Sequence, residues 1–515
     1  MRKPQQKKIL SMLQTISRIQ SAESFAECQT ASLEIGEYIE SIEGEGTQTV
    51  TLLEEYCDLL FKAHNGEIGQ KQLRKHLIKV ENSVRSELKP NRIEVVFIPY
   101  KRAMSDSLES IWQEALKDPQ CDCYIIPVPY YDRLPDKSFG QMHYEGNLYP
   151  PDLHITDWRE YDFDERRPDV IFTHFSYDEE NSVTSLHPNF YSERLRVLTE
   201  LLVYVPYFVN IDGISEEMCD CYGVMFPHKT IVDSEKARQT YIRVLKKIEK
   251  EDNCKGFFGK PEEKFIALGS PKYDAVICAK PEDFDLPEEW RSVIEKPDGT
   301  RKKIVLYNTS INASLKNSEQ YLKKIRFVLD SFRERDDVVL WWRPHPLIET
   351  TYQLMRPALL EEYKHIVTDY LSDSWGIFDD TPDLHRAIML TNAYYGDGSS
   401  LVAIYQCTGN PIMLQNANEV VSPEDSAQHT VELSPQLFYK DPSSCLNHRD
   451  CYYYESSKLP FQGFLMYVLE DSLEKTAMAE RQIGLRKGMI DNPDATAGYA
   501  IYSYSKRHVM GYVYK

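Results

Sequence analysis

The chain has 515 residues, which is more than one ordinary hydrophobic core contains and therefore predicts two or three domains. Its formal net charge of -20 disfavours a general nucleic-acid binder, since neutralising phosphate needs an excess of Lys and Arg. The 11 cysteines are odd in number and scattered, as is typical of reduced thiols in the cytosol. No apolar run of about 18 residues occurs and no apolar signal core follows the basic start of the chain, so we predict a cytoplasmic protein.

Residues 1–89 are predicted to form helices only. Apolar residues recur there at steps of three and four, for example at Ile9, Leu13 and Ile16, which is the period of an amphipathic helix. No cluster of catalytic side chains occurs in this region. We therefore interpret residues 1–89 as a helical bundle that packs on the main body or mediates homo-oligomer formation.

Residues 90–280 are predicted to form a Rossmann-like α/β domain. Lys89-Pro90-Asn91 interrupts the helical pattern, and short apolar runs then alternate with helical segments. Helices are expected at 106–116 and 235–250. Strands are expected at 93–98, 124–128, 170–173, 202–209 and 229–232.

Residues 281–435 are predicted to form a second Rossmann-like domain, and residues 436–515 to form helices and a tail that pack back on the domains. Two strand–loop–helix steps follow each other at 336–415. One strand stops at Arg343-Pro344-His345-Pro346, and the next leads into Asp397-Gly398-Ser399-Ser400. A loop of Gly and Ser before a helix exposes backbone N–H groups at the positive end of the helix dipole, so phosphate can bind there.

Four motifs occur in order along the chain. They are Gly269-Ser270-Pro271-Lys272-Tyr273-Asp274, Leu306-Tyr307-Asn308-Thr309, Arg343-Pro344-His345-Pro346, and Asp397-Gly398-Ser399-Ser400 followed by Thr408-Gly409-Asn410-Pro411-Ile412. Together they resemble the CDP-glycerol:poly(glycerophosphate) glycerophosphotransferase family of teichoic acid polymerases and primases, over about residues 200–415. The resemblance implies an α/β fold of the GT-B class, in which two Rossmann-like domains face a crevice, here with an N-terminal helical region added.

The resemblance also implies where a CDP-activated alcohol would bind. The guanidinium of Arg343 and the ring of His345 would contact its pyrophosphate, and His345 would donate a hydrogen bond to charge developing on the leaving nucleotide. Ser399 and Ser400 would bind the same phosphates. The full set of expected nucleotide-binding residues is Lys272, Asn308, Thr309, Arg343, Pro344, His345, Ser399 and Ser400.

The general base of the family is absent from the chain. Teichoic acid polymerases carry it in a His-Gly-Thr-Pro-Leu motif, whereas residues 209–214 read Val-Asn-Ile-Asp-Gly-Ile. His174 directly follows a predicted strand, and we predict that His174, oriented by Asp178, removes the proton from an acceptor hydroxyl. The alternative is a histidine that is hydrogen-bonded for structure alone.

Other polar side chains are expected to contact the acceptor or the donor alcohol, namely Lys101, Ser105, Asp106, Tyr177, Asn181 and Asp212. No metal site or cofactor is expected. The Cys-x-Cys pairs have one residue between the sulfurs, where zinc pairs usually have two to four, and Asp-x-Asp matches are expected by chance in an acidic chain. The few basic residues near the end of the chain could contact an anionic membrane that carries a lipid-linked acceptor.

We therefore expect a transferase that moves glycerol phosphate, or a similar phospho-alcohol, from a CDP-activated donor to a polymer or lipid-linked precursor of the cell wall or cell surface. One alternative is a nucleotide-sugar glycosyltransferase or epimerase, because both share the GT-B architecture. Another alternative is a non-catalytic scaffold that binds a nucleotide. The missing His-Gly-Thr-Pro-Leu motif favours this last interpretation.

Overall fold

The computed structural model describes residues 1–21, 23–210, 213–419, 438 and 452–511. Within these residues the strands form two parallel sheets of six strands each and an antiparallel sheet of three strands. No helix in the described ranges is both long and apolar enough to cross a membrane.

The N-terminal region consists of four helices, as its apolar period predicts. They are α1 (Lys3–Ile19), α2 (Phe25–Glu43), α3 (Gln48–His64) and α4 (Gln70–Ser86). Ile9, Leu13 and Ile16 lie on the buried face of α1 within one apolar core. The bundle is joined to the next domain by a buried ion pair, in which Arg2 Nη1 lies 3.0 Å from Glu94 Oε2.

The first sheet is doubly wound and entirely parallel. The strands of this region are β1 (Ile93–Ile98), β2 (Cys121–Ile125), β3 (Tyr130–Arg133), β4 (Phe139–His143), β5 (Val170–Thr173), β6 (Thr184–Leu186), β7 (Leu201–Tyr204), β8 (Lys229–Val232) and β9 (Phe265–Ala267). The order β2-β1-β5-β7-β8-β9 places the reversal of winding between β1 and β5. Strands β3, β4 and β6 form the antiparallel sheet. In doubly wound sheets, ligands bind at such a reversal, outside the carboxyl ends of the strands.

Helices of this region connect the strands and cover the sheet. They are α5 (Asp106–Lys117), α6 (Phe163–Arg166), α7 (Ser192–Leu198), α8 (Glu216–Cys219), α9 (Tyr222–Met225), α10 (Glu235–Glu251), α11 (Pro261–Lys264) and α12 (Pro271–Cys278). Helix α12 lies between the two large sheets, because its Tyr273 and Val276 pack into the core of the second one.

The second sheet is also parallel and doubly wound. Its strands are β10 (Lys303–Thr309), β11 (Val338–Pro344), β12 (Ile377–Phe378), β13 (Ala393–Gly396), β14 (Ile412–Leu414) and β15 (Tyr453–Tyr454). The order β12-β11-β10-β13-β14-β15 places the reversal between β10 and β13. Two sheets of this kind on either side of a crevice form the GT-B architecture.

The helices that follow α12 complete the second domain and return to the first. They are α13 (Glu288–Ile294), α14 (Ile311–Lys316), α15 (Ser318–Arg333), α16 (Ile348–Met355), α17 (Pro357–Asp373), α18 (Leu384–Leu390), α19 (Ser400–Tyr405), α20 (Phe461–Leu469), α21 (Leu473–Lys487) and α22 (Ala497–Met510). Ile501, Tyr502 and Val509 of α22 belong to the core of the first sheet, beside Val95 and Phe97 of β1.

The expected strands agree with the structure where they are central and differ elsewhere. The bounds of β1, β5 and β8 are as predicted, whereas β2 and β7 are displaced or shortened. Strand β2 begins at Cys121 because it is an edge strand, paired with β1 on one side and with Ile155 through a single bridge on the other, and so includes polar residues. Strand β7 ends at Tyr204, before Pro206, which has no N–H to donate to a neighbouring strand.

Candidate active site

The crevice is formed by loops that follow the strands at the two reversals of winding. Tyr100 and Lys101 follow β1, and His174 follows β5 in the first sheet. In the second sheet β10 ends at Asn308 and Thr309, Ser310 follows it, and Asp397 follows β13. Because the strands of each sheet are parallel, the loops within each domain gather at one edge.

A buried charged cluster joins the two domains beside these loops. Lys272 Nζ of α12 lies 2.6 Å from both carboxylate oxygens of Asp106, the first residue of α5. His385 Nε2 of α18 lies 3.1 Å from Asp106 Oδ2. Burial alone would raise the pKa of Asp106, but the charge of Lys272 and the hydrogen bond of His385 outweigh it and hold that pKa below its usual value. Lys272 and Asp106, both expected to contact ligand, are thus bonded to each other within the first domain, and His385 joins them from the second.

In the second domain, a network around Asp397 fixes the loops after β10 and β13. The Asp397 carboxylate accepts hydrogen bonds from Ser310 N at 2.6 Å, Tyr321 Oη at 2.5 Å and Gln415 Nε2 at 2.6 Å. Burial raises the pKa of Asp397. These contacts give the crevice edge a rigid frame, because each donor belongs to a different element.

Hydrogen bonds to other protein groups occupy polar atoms of Asn308, Thr309 and Ser399. Asn308 Nδ2 donates to Arg343 O at 3.1 Å, and its Oδ1 accepts from Ser399 Oγ at 3.2 Å. Thr309 Oγ1 accepts from Trp342 Nε1 at 3.2 Å and is buried. Ser400 is half-buried at the start of the short helix α19.

Arg343 is buried in an ion pair. Its Nη1 lies 2.6 Å from Asp379 Oδ2, and its Nη2 donates to Thr381 O at 2.6 Å. Pro344, the last residue of β11, is buried as well. Asp379 therefore neutralises the guanidinium that the sequence pattern assigns to phosphate, while Asp383 caps α18 by accepting from Arg386 N at 3.0 Å.

His345 presents a free donor at the end of β11. Its Nδ1 accepts a hydrogen bond from Leu347 N at 3.1 Å, which places the proton of the neutral ring on Nε2. That Nε2 has no hydrogen-bond partner within the described ranges. Burial, and then the nearby charge of Lys101, lower the pKa of His345 to about 4, so the ring is neutral at physiological pH.

Lys101 reaches the same part of the crevice from the first domain. Its side chain is buried, and its Nζ lies 4.6 Å from the ring centroid of Tyr130. The ammonium forms no hydrogen bond or ion pair with the residues that the structure describes. Burial lowers the pKa of Lys101, and the charges of Glu145 and Asp132 oppose this shift. A buried ammonium without a carboxylate partner is unusual, because desolvation disfavours it.

His174 is buried with both ring nitrogens occupied. Tyr100 N donates to Nε2 at 3.1 Å, and Nδ1 lies 3.1 Å from Met104 O and 2.9 Å from Ser107 Oγ. Since a carbonyl can only accept, the ring proton is on Nδ1 and the lone pair of Nε2 is held by the backbone of Tyr100. Burial lowers the pKa of His174 to about 4. The histidine therefore holds the loop that carries Lys101.

The expected orientation of His174 by Asp178 is wrong. Asp178 Oδ2 accepts from Ser192 N at 3.0 Å, and its Oδ1 accepts from Ser192 Oγ at 3.2 Å. Asp178 therefore caps α7, with burial raising its pKa to about 7, and His174 has the partners named above instead. His174 and Asp178 are close in sequence, so a contact between them was expected. The backbone of Asp178 is in the left-handed region, with a φ of 49°, and its carboxylate bonds to Ser192.

The remaining residues predicted to contact a ligand have protein partners instead. Ser105 Oγ donates to Arg102 O at 2.8 Å, and Tyr177 Oη donates to Met218 Sδ at 3.1 Å. Asn181 Oδ1 caps a turn by accepting from Val183 N at 2.8 Å. Asp212 lies outside the described residues.

Two residues of the crevice were not predicted. Tyr130 lies under the Lys101 ammonium and donates to Glu145 Oε1 at 2.7 Å. His385 bridges to Asp106. The position of His385 in the helix after β12, near the carboxyl edge of the sheet, was a usable signal for it. No three His, Cys, Asp or Glu side chains in the described ranges converge as they would around a metal ion.

No protein-family profile matches the chain, and no curated protein matches it. Solved structures do. One is a UDP-N-acetylglucosamine 2-epimerase, which is 12% identical over 82% of this chain and 98% of that chain, with a TM-score of 0.45. Another is MnaA of S. aureus in complex with UDP, which is 10% identical over 81% of this chain and 97% of that chain, with a TM-score of 0.46. The chain is also similar to the wall teichoic acid polymerase TagF, at 12% identity over 91% of this chain and 100% of that one, with a TM-score of 0.45.

Proposed function

We propose that the chain is a transferase that moves glycerol phosphate, or a similar phospho-alcohol, from a CDP-activated donor to a polymer or lipid-linked precursor of the cell wall or surface. The four ordered motifs support this class of donor. The two reversals of winding facing one crevice support a ligand bound between the domains.

The observation that carries the proposal is a pair of unused donors on opposite sides of the crevice. Lys101 offers an ammonium from the first domain, and His345 offers Nε2–H from the second. A diphosphate placed between them would pair with the ammonium and accept the hydrogen bond of the imidazole. Charge-assisted bonds of this type are stronger than neutral ones, so the donor would draw the two domains together.

The chemistry proposed for this arrangement is displacement at phosphorus. The acceptor hydroxyl forms a bond to the phosphorus that carries the alcohol, the bridging P–O bond breaks, and CMP leaves, with the hydroxyl proton passing to the phosphate of the departing CMP. Phosphoryl transfer of this kind passes through a loose transition state, so catalysis depends mainly on positioning and charge stabilisation. Lys101 and His345 would stabilise the charge on the departing CMP, and no step requires His174 as a base.

A nucleotide-binding scaffold without catalysis is the second candidate. It is favoured by the commitment of Arg343 to Asp379 and of both His174 nitrogens to neighbouring groups. Transfer or hydrolysis of a CDP-linked donor in vitro would exclude it. Nucleotide binding with no turnover in the presence of acceptors would favour it.

Binding followed by thermal unfolding tests the choice of donor. CDP-glycerol, CDP-ribitol and CMP are expected to raise the melting temperature, and UDP-sugars and UDP are expected to leave it unchanged. The His345→Ala variant should lose the shift, while His365→Ala, at an exposed histidine of α17, should retain it. Selective stabilisation by the uridine ligands would overturn the proposal in favour of a nucleotide-sugar transferase or epimerase.

A further inference from the structure

A second cavity lies in the first domain and has no role in the proposed transfer. It has a volume of about 530 Å³ and lies between the loop after β5, helix α9 and the segment after α10. None of the residues that line it belongs to the Lys101 and His345 site. Its walls are of two kinds, one aromatic and one acidic.

The aromatic wall is a continuous row of four rings. The ring centroids of Tyr222 and Phe226 are 5.7 Å apart, those of Phe226 and Phe258 are 5.5 Å apart, and those of Phe258 and Phe257 are 4.8 Å apart. Phe257 is 63% exposed and Tyr222 is 39% exposed. The rings meet edge to face, with 66°, 78° and 89° between their planes, and the negative potential of a ring face attracts a cation.

The acidic wall carries charges that nothing in the described protein neutralises. Glu179, Glu193 and Asp252 line the cavity, and their carboxylates form no ion pair or hydrogen bond with described residues. Asp252 is also the C-cap of α10, a helix of 17 residues whose dipole adds negative potential there. None of the described residues that line the cavity is Lys, Arg or His. Arg133 donates to the main-chain carbonyl of Glu179 rather than to its carboxylate.

We propose that this cavity binds a small organic cation with an alkylated ammonium group. Aromatic faces attract such a cation through their quadrupoles, and carboxylates attract it through charge. A hydrated metal ion would need oxygen ligands on all sides, whereas half of this wall is aromatic. A neutral ligand of the same shape would gain nothing from the unpaired carboxylates.

Choline and its carbon isostere, 3,3-dimethylbutan-1-ol, have similar shapes, but only choline is charged. Comparing their affinities therefore measures the contribution of charge. Isothermal titration of the full chain should show choline binding about tenfold tighter than the isostere, since the two differ only in the charged centre. Phe257→Ala and Glu193→Gln should each weaken choline binding by about fivefold or more. Both residues are exposed, so these substitutions leave the fold intact.

Matched controls lie elsewhere on the surface. Phe61→Ala removes a ring of α3 that is also 63% exposed, and Glu288→Gln removes an exposed carboxylate of α13. Both should retain the affinity for choline, as should His345→Ala in the crevice. Equal affinity for choline and the isostere would overturn the proposal. Choline binding that survives both cavity substitutions would also overturn it, and would place the cation elsewhere on the chain.

Discussion

Two buried cations of the crevice differ in what surrounds their charge. Arg343 Nη1 lies 2.6 Å from Asp379, whereas the Lys101 ammonium lies over the ring of Tyr130 and forms no ion pair with the described residues, with Glu145 and Asp132 acting on it only at longer range. Desolvating a charge without a partner is unfavourable, so a ligand anion would relieve Lys101 far more than Arg343. We therefore expect Lys101, rather than Arg343, to be the cation that pairs with the phosphate of the ligand.

Replacing Lys101 by Met tests this assignment. The Met side chain retains the apolar contact with Tyr130 but carries no charge, so the dissociation constant for the CDP-linked donor should rise by about tenfold to a hundredfold. Lys79→Met, at an exposed site on α4, should leave it unchanged. The measurement is isothermal titration at low and high salt. Equal affinities for the two variants would contradict the assignment.

His174 should make the protein less stable in acid. Burial lowers its pKa to about 4 from an ordinary value of 6.5, so between these values the unfolded state binds the proton and the folded state does not. Stability therefore falls as pH falls through this window, by about 1.4 kcal/mol per pH unit. Below about pH 4 this contribution is fully lost.

Urea unfolding from pH 7 to pH 4 measures the effect. His174→Gln can still accept a hydrogen bond from Tyr100 N but does not titrate, so its stability should depend less steeply on pH than that of the unmodified protein. His365→Gln, at an exposed site, should keep the original dependence. If His174→Gln shows an unchanged slope, the buried imidazole is not the titrating group.

Properties of single residues that depend on the local sequence were predictable, and tertiary contacts were not. The spacing of the apolar residues predicted the buried face of α1. The partner of Arg343 could not be predicted, because Asp379 reaches it only through the pairing of β11 with β12. The contact of Lys101 with Tyr130 depends likewise on how a separate hairpin folds over the first sheet.

At the scale of strands and helices, the junction of β10 and β13 permits no side chain at Gly396. A Cβ added there would lie 2.2 Å from Asn308 O, and the φ of 149° is one that other residues rarely adopt. The close approach keeps the two strands at the reversal of winding in register. This register places Asn308 beside the Asp397 loop.

Gly396→Ala should therefore destabilise the protein. Separating β10 from β13 is expected to lower the free energy of unfolding by about 2 kcal/mol or more, because neither backbone can give way. Gly484→Ala is the matched control, since a Cβ on that helical glycine meets nothing within 4 Å. It should be neutral or stabilising by about 0.5–1 kcal/mol. Chemical denaturation measures both, and a neutral Gly396→Ala would refute the argument.

Elements were predictable from sequence in proportion to their burial. The central strands β1, β5 and β8 are short apolar runs, and their bounds were predicted correctly. The edge strand β2 was misplaced because Cys121 and Asp122 do not form an apolar run, and only the pairing with β1 makes them a strand. The apolar residues after β7 and β2 are buried by packing rather than by sheet formation.

At the scale of the whole molecule, the cluster of Asp106, Lys272 and His385 fastens the two domains together. Asp106→Asn would leave the Lys272 ammonium buried without a counterion, and should lower the free energy of unfolding by about 3–5 kcal/mol. Asp122→Asn, which breaks a partly exposed pair with Arg92, should cost less than about 1 kcal/mol.

Lowering the pH should also lower the free energy of unfolding of the unmodified protein, by part of the amount that Asp106→Asn removes. The folded pKa of Asp106 is depressed, so its contribution is present above the unfolded value near 3.8 and is lost as pH falls below it. The double variant with Lys272→Met should recover some of the stability that Asp106→Asn loses, because no charge is then left unpaired. Additive losses in the double variant would contradict the coupling.

The general arrangement of two α/β domains was predictable, because strands and helices alternate twice along the sequence. The way the chain links the domains was not. Helix α12 packs into the second core ahead of the second sheet, and α22 packs on the first sheet. Neither helix carries a sequence signal for which sheet it covers, since an apolar stripe fits either one.

The return of α22 has a consequence for biosynthesis. The strands of the first sheet are translated before the entire second domain, yet part of their apolar face is covered by Ile501, Tyr502 and Val509. During translation this apolar face stays exposed until α22 has been synthesised. During that time the face is prone to aggregate and to bind chaperones. The first Rossmann-like domain is therefore synthesised before the second, but its core is complete only after the second has been synthesised.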